Sequence, residues 1–482
     1  MASLFRSVLS IFSGRAVGIL IGSIFTPILV RLISQEQYGI YASILAGFTI
    51  LALISKGGLF DATRKIVAEN IEQVSSVISV SLFLTTVYGL ISIVIMISTL
   101  YSGLVPTIYV PYAWILLGAI FFGNIFNVIT GSFYGLQQES IGEALNLGRR
   151  VIYTSFALFL AYAGYDLFGV FIGYTLSFIL MTVIGLIVLV RRTSHTILSD
   201  FHLDQYGREI ASYGGYQLVG GFSLMLLYKS DILLVEFFRG STATALYQSA
   251  IIPAEMVWFV PLAIQLAFLQ HTSELWDDEK INEINNNIQT GIKYAILSLT
   301  LFGAGLFLLS DPFLRVYFSS EYASASPILQ MLIIGTFFFG ITRVVVPVLQ
   351  ATGWVRKTEL VTTACLILNI FLNILLIPKF GIYGAGIATS TSYFAIFIGN
   401  IILWHKSAFD LVPLRWIGKL AAVQVAFIFV FSSIVRLSSL SPILSLITLP
   451  PIGLFLFLLI NIYAGYIPTQ SALSYIKNNI SY

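Results

Sequence analysis

QVSSVISVSLFLTTVYGLISIVIMISTLYSGLVPTIYVPYAWILLGAIFFGNIFNVITGSFYGLQQ, residues 73–138, contains no Asp, Glu, Lys, Arg or His. An α-helix crosses the hydrocarbon core of a bilayer with about 20 apolar residues. The stretch therefore predicts two spans joined by a turn near Ser102, Gly103 and Pro106. In lipid every unpaired backbone amide or carbonyl costs several kcal/mol, so such segments cross as helices whose backbone bonds are internal. Residues 437–476 are equally free of charge and leave room for one more span.

Outward from that segment the whole chain reads alike. Soluble domains are roughly a quarter charged, whereas these 482 residues are 10% charged and 57% hydrophobic, with a mean hydropathy of +0.92. Apolar runs of helical length fall at 11–33, 40–60, 77–100, 112–134, 147–165, 167–190, 213–238, 246–269, 292–309, 327–350, 360–378, 382–404, 416–435 and 443–466. The expected fold is an all-α polytopic membrane protein of about fourteen transmembrane helices. The N-terminal MASLFRSVLSIFSGRAVGIL runs straight into the first span without the small-residue pattern of a cleaved signal, so it is expected to be retained.

Cytoplasmic loops retain Lys and Arg. Sorting the connections alternately puts sixteen basic residues on one side, among them Arg64, Lys65, Arg149, Arg150, Arg191, Arg192, Arg356 and Lys357, and five on the other. Both termini are therefore expected in the cytoplasm, with an even number of spans. The net charge of +3, without a basic run, excludes nucleic-acid recognition. Cys365 is the single cysteine, so an intramolecular disulfide is excluded, and packing is its expected role. No phosphate loop, metal-ligand spacing or nucleophile constellation occurs, and no cofactor is expected. Asp277, Asp278 and Glu279 are adjacent and read as a solvated acidic face rather than a metal site.

A faint internal repeat is present. At an offset of 215, Gly169, Ile172, Ser177 and Arg191 fall on Gly384, Ile387, Ser392 and Lys406; at 206, Gly14, Tyr41 and Ser43 fall on Gly220, Tyr247 and Ser249. Two six-span units in one orientation follow, a parallel-repeat arrangement found in transporters. The expected domains are residues 1–205, residues 206–406, and two further helices in 407–482. Gly14, Gly18 and Gly22 form a small-residue stripe on the first span, the pattern of close helix packing. Pro253, Pro261 and Pro347 are expected to interrupt later spans.

Six charges lie within the apolar runs: Arg15, Lys56, Lys229, Asp231, Glu255 and Arg343. A charge at mid-membrane costs about 2.5–3.5 kcal/mol on insertion scales, so it faces a partner or a wet cavity. Arg15 and Lys56 fall at one depth. Four cations against two acids predict a cationic interior suited to a phosphate or acidic sugar. Arg15, Lys56, Lys229 and Arg343 are thus the candidate substrate-binding residues, with Asp231 and Glu255 candidates for ion coupling or charge pairing. Snorkelling to the interface is the competing reading for Arg15 and Lys56, and a helix-end position for Glu255. With no nucleotide site, an ion gradient, the membrane potential or substrate consumption has to supply the energy.

Three stretches carry a family resemblance. SQEQYGIYASILAGFTILALISKGGLFDATRKIVAE, residues 34–69, resembles the N-terminal signature of the Wzx-like polysaccharide-export flippases of the multidrug/oligosaccharidyl-lipid/polysaccharide (MOP) superfamily, which share the MATE-like fold. YKSDILLVEFFRGSTATALYQSA, residues 228–250, resembles that family's seventh-span Asp and the approach to its eighth span, and LNIFLNILLIPKFGIYGAGIATSTSY, residues 368–393, its eleventh and twelfth spans. The resemblance implies two six-helix bundles in a V around a cavity that opens alternately to each side. It also implies a lipid-linked oligosaccharide substrate, on a polyprenyl phosphate or pyrophosphate, moved from the cytoplasmic to the outer leaflet of the cell membrane. Asp231 falls on the family Asp, and Arg15 and Lys56 where relatives carry cavity cations; Ile232 departs from the basic residue that often follows that Asp. Implied partners are the membrane lipid and the glycosyltransferases and polymerase of the same pathway. The alternatives are a MATE-like ion-coupled drug or metabolite antiporter and, less favoured because the external connections are short, a membrane-embedded polymerase or glycosyltransferase.

Overall fold

A computed structural model describes residues 17, 18, 20–193, 201–407, 409, 410 and 412–467. Among them every regular element is helical. In chain order these are α1 (Leu20–Leu32), α2 (Gln35–Lys56), α3 (Leu59–Glu69), α4 (Val74–Tyr101), α5 (Val110–Gly135), α6 (Glu139–Leu160), α7 (Asp166–Arg192) and α8 (Leu203–Arg239). There follow α9 (Ser241–Met256), α10 (Phe259–Asp277), α11 (Ile281–Leu308), α12 (Ser310–Tyr317), α13 (Ser326–Leu349), α14 (Val355–Phe380), α15 (Ile382–His405), α16 (Leu414–Leu437) and α17 (Pro442–Tyr463). Among the described residues, nine continuous helices are long and apolar enough to cross a membrane, or eleven with α8 and the α9–α10 pair taken as bent spans. Two of the nine, 139–192 and 320–380, are each broken by a π-turn, Ala161–Tyr165 with Gly164 at φ 90° and Gln350–Trp354 with Gly353 at φ 88°. With each limb taken separately, and with the shorter α1, the set is consistent with fourteen spans.

Local chemistry explains where helices start and stop. Ser34 and Gln37 form a reciprocal capping box, the Ser34 hydroxyl accepting the Gln37 N–H at 3.2 Å and the Gln37 side chain accepting the Ser34 N–H at 3.0 Å. Gly57 ends α2 in the left-handed region at φ 56°, a conformation that costs glycine little. The run expected at 40–60 thus breaks at Gly57 and Gly58, and Arg64 and Lys65 sit on a separate helix, α3, rather than in a loop. Pro253 and Pro347 each precede a break, at 257–258 and at 350–354. Pro261, the third residue of α10, follows the first of these breaks directly, and its ring and missing N–H preclude a helical bond back to Val257.

Contacts divide the chain into two compact units, Met1–Ala245 and Leu246–Tyr482. The boundary lies one helix later than residue 205, because α8 packs on α2 and α3. Packing in the first unit relies on small residues and cross-helix hydrogen bonds, which replace the hydrophobic drive missing in lipid. A side chain at Gly173 would meet the backbone nitrogen of Ala157 at 2.6 Å, so α7 lies directly on α6. Thr175 and Thr182 of α7 donate to the carbonyls of Ile115 and Phe122 on α5 at 3.1 and 2.9 Å. The Asn124 amide of α5 donates to the Ser55 hydroxyl of α2 at 2.6 Å.

In the second unit α14 and α15 form the counterpart of the α6–α7 hairpin. Gly384, matched to Gly169 in the repeat, abuts the backbone of Leu376 and Ile377, as Gly169 abuts Leu160 and Ala161. The last two helices dock on α11 through Phe427, Phe431, Leu449 and Phe457 against Leu297, Ala304 and Leu309. They are tied to each other by Gln424 donating to Asn461 at 2.8 Å. At an exposed corner after α10, Lys280 pairs with Asp278 at 2.8 Å, which raises the lysine above its usual range.

The glycine stripe on the first span differs from its expected role. Gly14 lies outside the described residues. A methyl group at Gly22 would have no neighbour within 4 Å, and Gly18 faces the guanidinium of Arg150 rather than a helix backbone. A missing side chain at position 18 makes room for a cation.

Candidate functional site: a cation and aromatic cluster in the first unit

Lys56 is the last residue of α2, half-buried, and it lines a cavity of about 130 Å³ with Phe48, Thr49, Asn124, Tyr174 and Phe178. That is room for about four waters. Among the described residues, no acidic side chain lines it. The second cation is Arg149 on α6, which lies within electrostatic reach of Lys56 and stacks its guanidinium 4.6 Å from the Phe178 ring centre. Arg150 follows on the same helix against Gly18. From hydropathy, Arg149 and Arg150 are expected in a cytoplasmic connection. In the structure α6 begins at Glu139, so the pair lies ten residues, about 15 Å, inside the helix. A polar first half of α6, ESIGEALNLGRR, hides this extension from hydropathy. The signal that could reveal it is the amphipathic pattern of that half.

Aromatic rings extend the cluster along the unit. Tyr41 and Tyr153 share a hydroxyl hydrogen bond of 2.7 Å. Tyr153 packs edge-on against Tyr174 at 5.2 Å, and Tyr174 against Phe178 and Phe48 at 5.3 and 5.6 Å. Phe25 of α1 closes the row on Tyr153 at 5.1 Å. Guanidinium and ammonium groups beside phenol hydroxyls and ring faces suit a ligand that is anionic at one point and polyhydroxylated elsewhere.

The other sequence candidates are distributed as follows. Arg15 lies outside the described residues. Lys229 and Asp231 are on α8 in the first unit, the lysine half-buried and the aspartate fully buried, with Asp231 Oδ1 accepting the Ile232 N–H at 2.8 Å. Glu255, in the second unit, is half-buried on α9 next to the break at 257–258. Arg343 of α13 is also in the second unit. It donates to Gln265 Oε1 at 2.9 Å and stacks 4.6 Å from the Trp258 ring and 5.1 Å from Phe339. Trp258 is oriented by donating to the Thr336 carbonyl at 2.9 Å, and Phe339 stacks on Tyr393 at 4.6 Å. Each unit therefore holds an arginine on an aromatic face. Lys56 and Arg149 are brought together, while Arg343 belongs to the other unit with its own platform.

Glu236 on α8 escapes a reading by sequence. Its carboxylate accepts from Tyr109 and Ser241 at 2.6 Å each and from Ser43 at 2.8 Å. It lies three residues before the end of α8, where an acid reads as a helix terminus. Among the described residues no cluster of three or more His, Cys, Asp or Glu side chains is placed to hold a metal.

Membrane-length apolar helices, with an arginine held on an aromatic face inside each unit, define a multi-pass α-helical membrane protein. The chain belongs to the polysaccharide biosynthesis protein family, the Wzx-like flippases of the MOP superfamily: the model of that family matches residues 4–264, over half the chain, and the MatE model matches residues 218–375. It is 25% identical to "Probable flippase AglR" of Haloferax volcanii over 87% of both chains. An uncharacterized membrane protein of Methanocaldococcus jannaschii, MJ1068, is 24% identical over 60% of this chain and 58% of its own length. The fold matches that of the lipid II flippase MurJ in an inward closed conformation, with a TM-score of 0.77 at 16% identity, covering 94% of this chain and 98% of that one.

Proposed function

We propose that the protein translocates an oligosaccharide linked to a polyprenyl phosphate or pyrophosphate from the cytoplasmic to the outer leaflet of the cell membrane, by alternating access and without ATP hydrolysis. The observation that carries this reading is Lys56 in a cavity lined by Tyr174 and Phe178 and by no acidic side chain among the described residues, with Arg149 within electrostatic reach and stacked on the same Phe178. Two cations in a low-dielectric setting favour an anion strongly, and ring faces favour the apolar faces of sugars. A glycan headgroup cannot cross hydrocarbon unaided, since each unpaired polar group costs roughly 2–7 kcal/mol. A wet, cationic passage lowers that barrier and needs no covalent step.

Arg15, Lys229 and Arg343 are further proposed substrate-binding residues, and Asp231 and Glu255 are the proposed coupling or charge-pairing groups. An apolar cavity of about 490 Å³ in the second unit, lined by Leu301, Phe302, Phe427, Phe431, Pro450 and Leu454, suits the hydrocarbon tail of the carrier. Both termini are proposed to face the cytoplasm. The relatives named as flippases support the reading, as does the family's role in polysaccharide biosynthesis. Proposed pathway partners are the glycosyltransferases and polymerase that make and use the glycan.

Leaflet sidedness in proteoliposomes tests it: purified protein is expected to equilibrate a fluorescent polyprenyl-phosphate-linked sugar between leaflets. Uptake of an organic cation against a proton gradient, with the lipid-linked sugar left in its original leaflet, would instead support the antiporter alternative, which the MatE match over residues 218–375 keeps in view.

A further inference from the structure

We propose that the apolar cavity beside Glu236 in the first unit binds an amphipathic organic cation: an ammonium with at least one N–H, on an apolar chain and without a phosphate. The inference is independent of the substrate reading, because neither Lys56 nor Arg149 lines this cavity. Its basis is a carboxylate kept charged by neutral groups, in a chamber that supplies no counter-charge.

Four elements of the first unit converge on that carboxylate, which lies in the last turn of α8. Tyr109, from the α4–α5 connection, and Ser241, at the start of α9, both donate to Oε1 at 2.6 Å, and Ser43 of α2 donates to Oε2 at 2.8 Å. Hydroxyls that donate favour the ionised carboxylate. Burial and the adjacent Glu236 hold the Tyr109 phenol above its usual range, so it donates throughout neutral pH. Thr244 of α9 also faces Glu236, but its hydroxyl donates to the Gly240 carbonyl at 3.1 Å. A carboxylate offers about four acceptor positions, two on each oxygen. Oε1 is thus filled, and Oε2 keeps one position open.

The cavity measures about 590 Å³, within the range of ligand pockets. Ser43, Gly47 and Leu51 line it at intervals of four along α2, with Met96 and Leu100 from α4 and Leu233 from α8. Among the described residues no Lys, Arg or His contributes to its wall, and no cation pairs with Glu236. Arg239, three residues on along α8, is exposed and lies outside the wall. Leu51 is two helical turns beyond Ser43, about 12 Å further into the span. The charge therefore sits at one end of the chamber and the apolar length runs inward, the layout of an amphiphile in a leaflet. Ile95 and Phe237 at its edge are 55% and 79% exposed, so entry is from the side, where lipid surrounds the spans.

These features select the ligand. A charge without a partner in an apolar chamber attracts a cation strongly, because little solvent screens it. A hard metal ion needs about six oxygen ligands, whereas the wall away from Glu236 is almost entirely hydrocarbon. A guanidinium pairs with a carboxylate through two parallel N–H bonds, one to each oxygen, and Oε1 is taken. A single ammonium N–H suits the open position on Oε2. A phosphate attached nearby would face the carboxylate with no basic residue in the wall to receive it, which disfavours a phospholipid headgroup.

The test uses the full chain with Cys365→Ala as background, in phosphatidylcholine nanodiscs at neutral pH. Leu233→Cys places a thiol in the cavity wall, and Ser102→Cys in the exposed connection is the reference for effects on the reagent or the bilayer. Labelling by N-phenylmaleimide is followed as N,N-dimethyldodecylamine is added, a cation with one N–H, and again with dodecyltrimethylammonium, a cation with none. The first is expected to slow labelling at position 233 at least about fivefold, with position 102 unchanged. The trimethyl compound and Glu236→Gln each remove the charge-assisted hydrogen bond, and each should move half-protection to at least about tenfold higher amphiphile. Equal protection by the two cations, protection by neither, or an unchanged midpoint with Glu236→Gln overturns the proposal. If Glu236→Gln does not insert, Gly47→Leu decides. A Cβ there meets only the Leu233 side chain, at 3.9 Å, so a longer side chain fills the cavity and should leave labelling insensitive to the amine. Protection retained with Gly47→Leu counts against the cavity. Replacing half of the lipid by phosphatidylethanolamine, with no amine added, should leave the rate at 233 unchanged. A fivefold slowing by that lipid alone would assign the cavity to an aminophospholipid and overturn the phosphate-free ligand.

Discussion

Arg149 joins a charge to a ring, and the two roles separate on substitution. Arg149→Ala removes both and is expected to lower glycan-lipid flipping at least about tenfold, equivalent to about 1.4 kcal/mol, with membrane insertion unchanged. Arg149→Lys keeps the charge but lacks the planar group that stacks 4.6 Å above Phe178, so it should recover only part of the rate. Initial flipping rates in proteoliposomes of matched protein content decide between them. Arg343→Ala is likewise expected to lower flux without loss of insertion. Equal flux in that variant would assign Arg343 to packing against Trp258 and Phe339.

Helices in lipid gain from close approach, so the elements of each unit depend on residues without side chains at particular points. A Cβ at Gly39 would collide with the Ser241 carbonyl, and one at Gly173 would lie 2.6 Å from the backbone nitrogen of Ala157. Gly39→Val and Gly173→Leu are therefore expected to lower the thermal midpoint in detergent by several degrees, the usual consequence of overpacking by about 1–3 kcal/mol. Gly22→Ala, with nothing within 4 Å, is the contrasting case and should leave the midpoint within error. A drop with Gly22→Ala as large as that with Gly39→Val would remove the connection between backbone approach and stability.

At the scale of the whole molecule, the expected behaviour is downhill equilibration of lipid-linked sugar that requires no nucleotide. Addition of ATP to sealed proteoliposomes should leave the flipping rate unchanged. A rate that rises severalfold with ATP in a purified preparation would contradict the proposed energetics. The division of labour proposed between the units, anion and sugar recognition at Lys56 and Arg149 and tail accommodation near Phe427 and Phe431, predicts separable effects. Lys56→Ala should weaken discrimination between phosphorylated and neutral headgroups, whereas filling the second cavity with Gly305→Leu, where a Cβ meets nothing within 4 Å, should weaken discrimination between long and short tails.

The sequence by itself determined that this is a many-span helical membrane protein and where most spans lie, but not all of its embedded ionisable residues, since Arg149 and Glu236 escaped it. Insertion cost is a local quantity: it depends on the composition of about 20 consecutive residues and can be read without knowing their neighbours. Family membership was also legible, in residues 34–69, 228–250 and 368–393. Only the tertiary structure brought Arg149 within electrostatic reach of Lys56, ordered Tyr41, Tyr153 and Tyr174 into a row, and assembled three hydroxyls around Glu236. Tyr41 and Tyr153 are 112 positions apart, and Ser43 and Glu236 are 193 apart. A buried charge gains its stability from whatever the packing brings within about 3 Å, and helix packing joins segments whose separation along the chain carries no record of that distance.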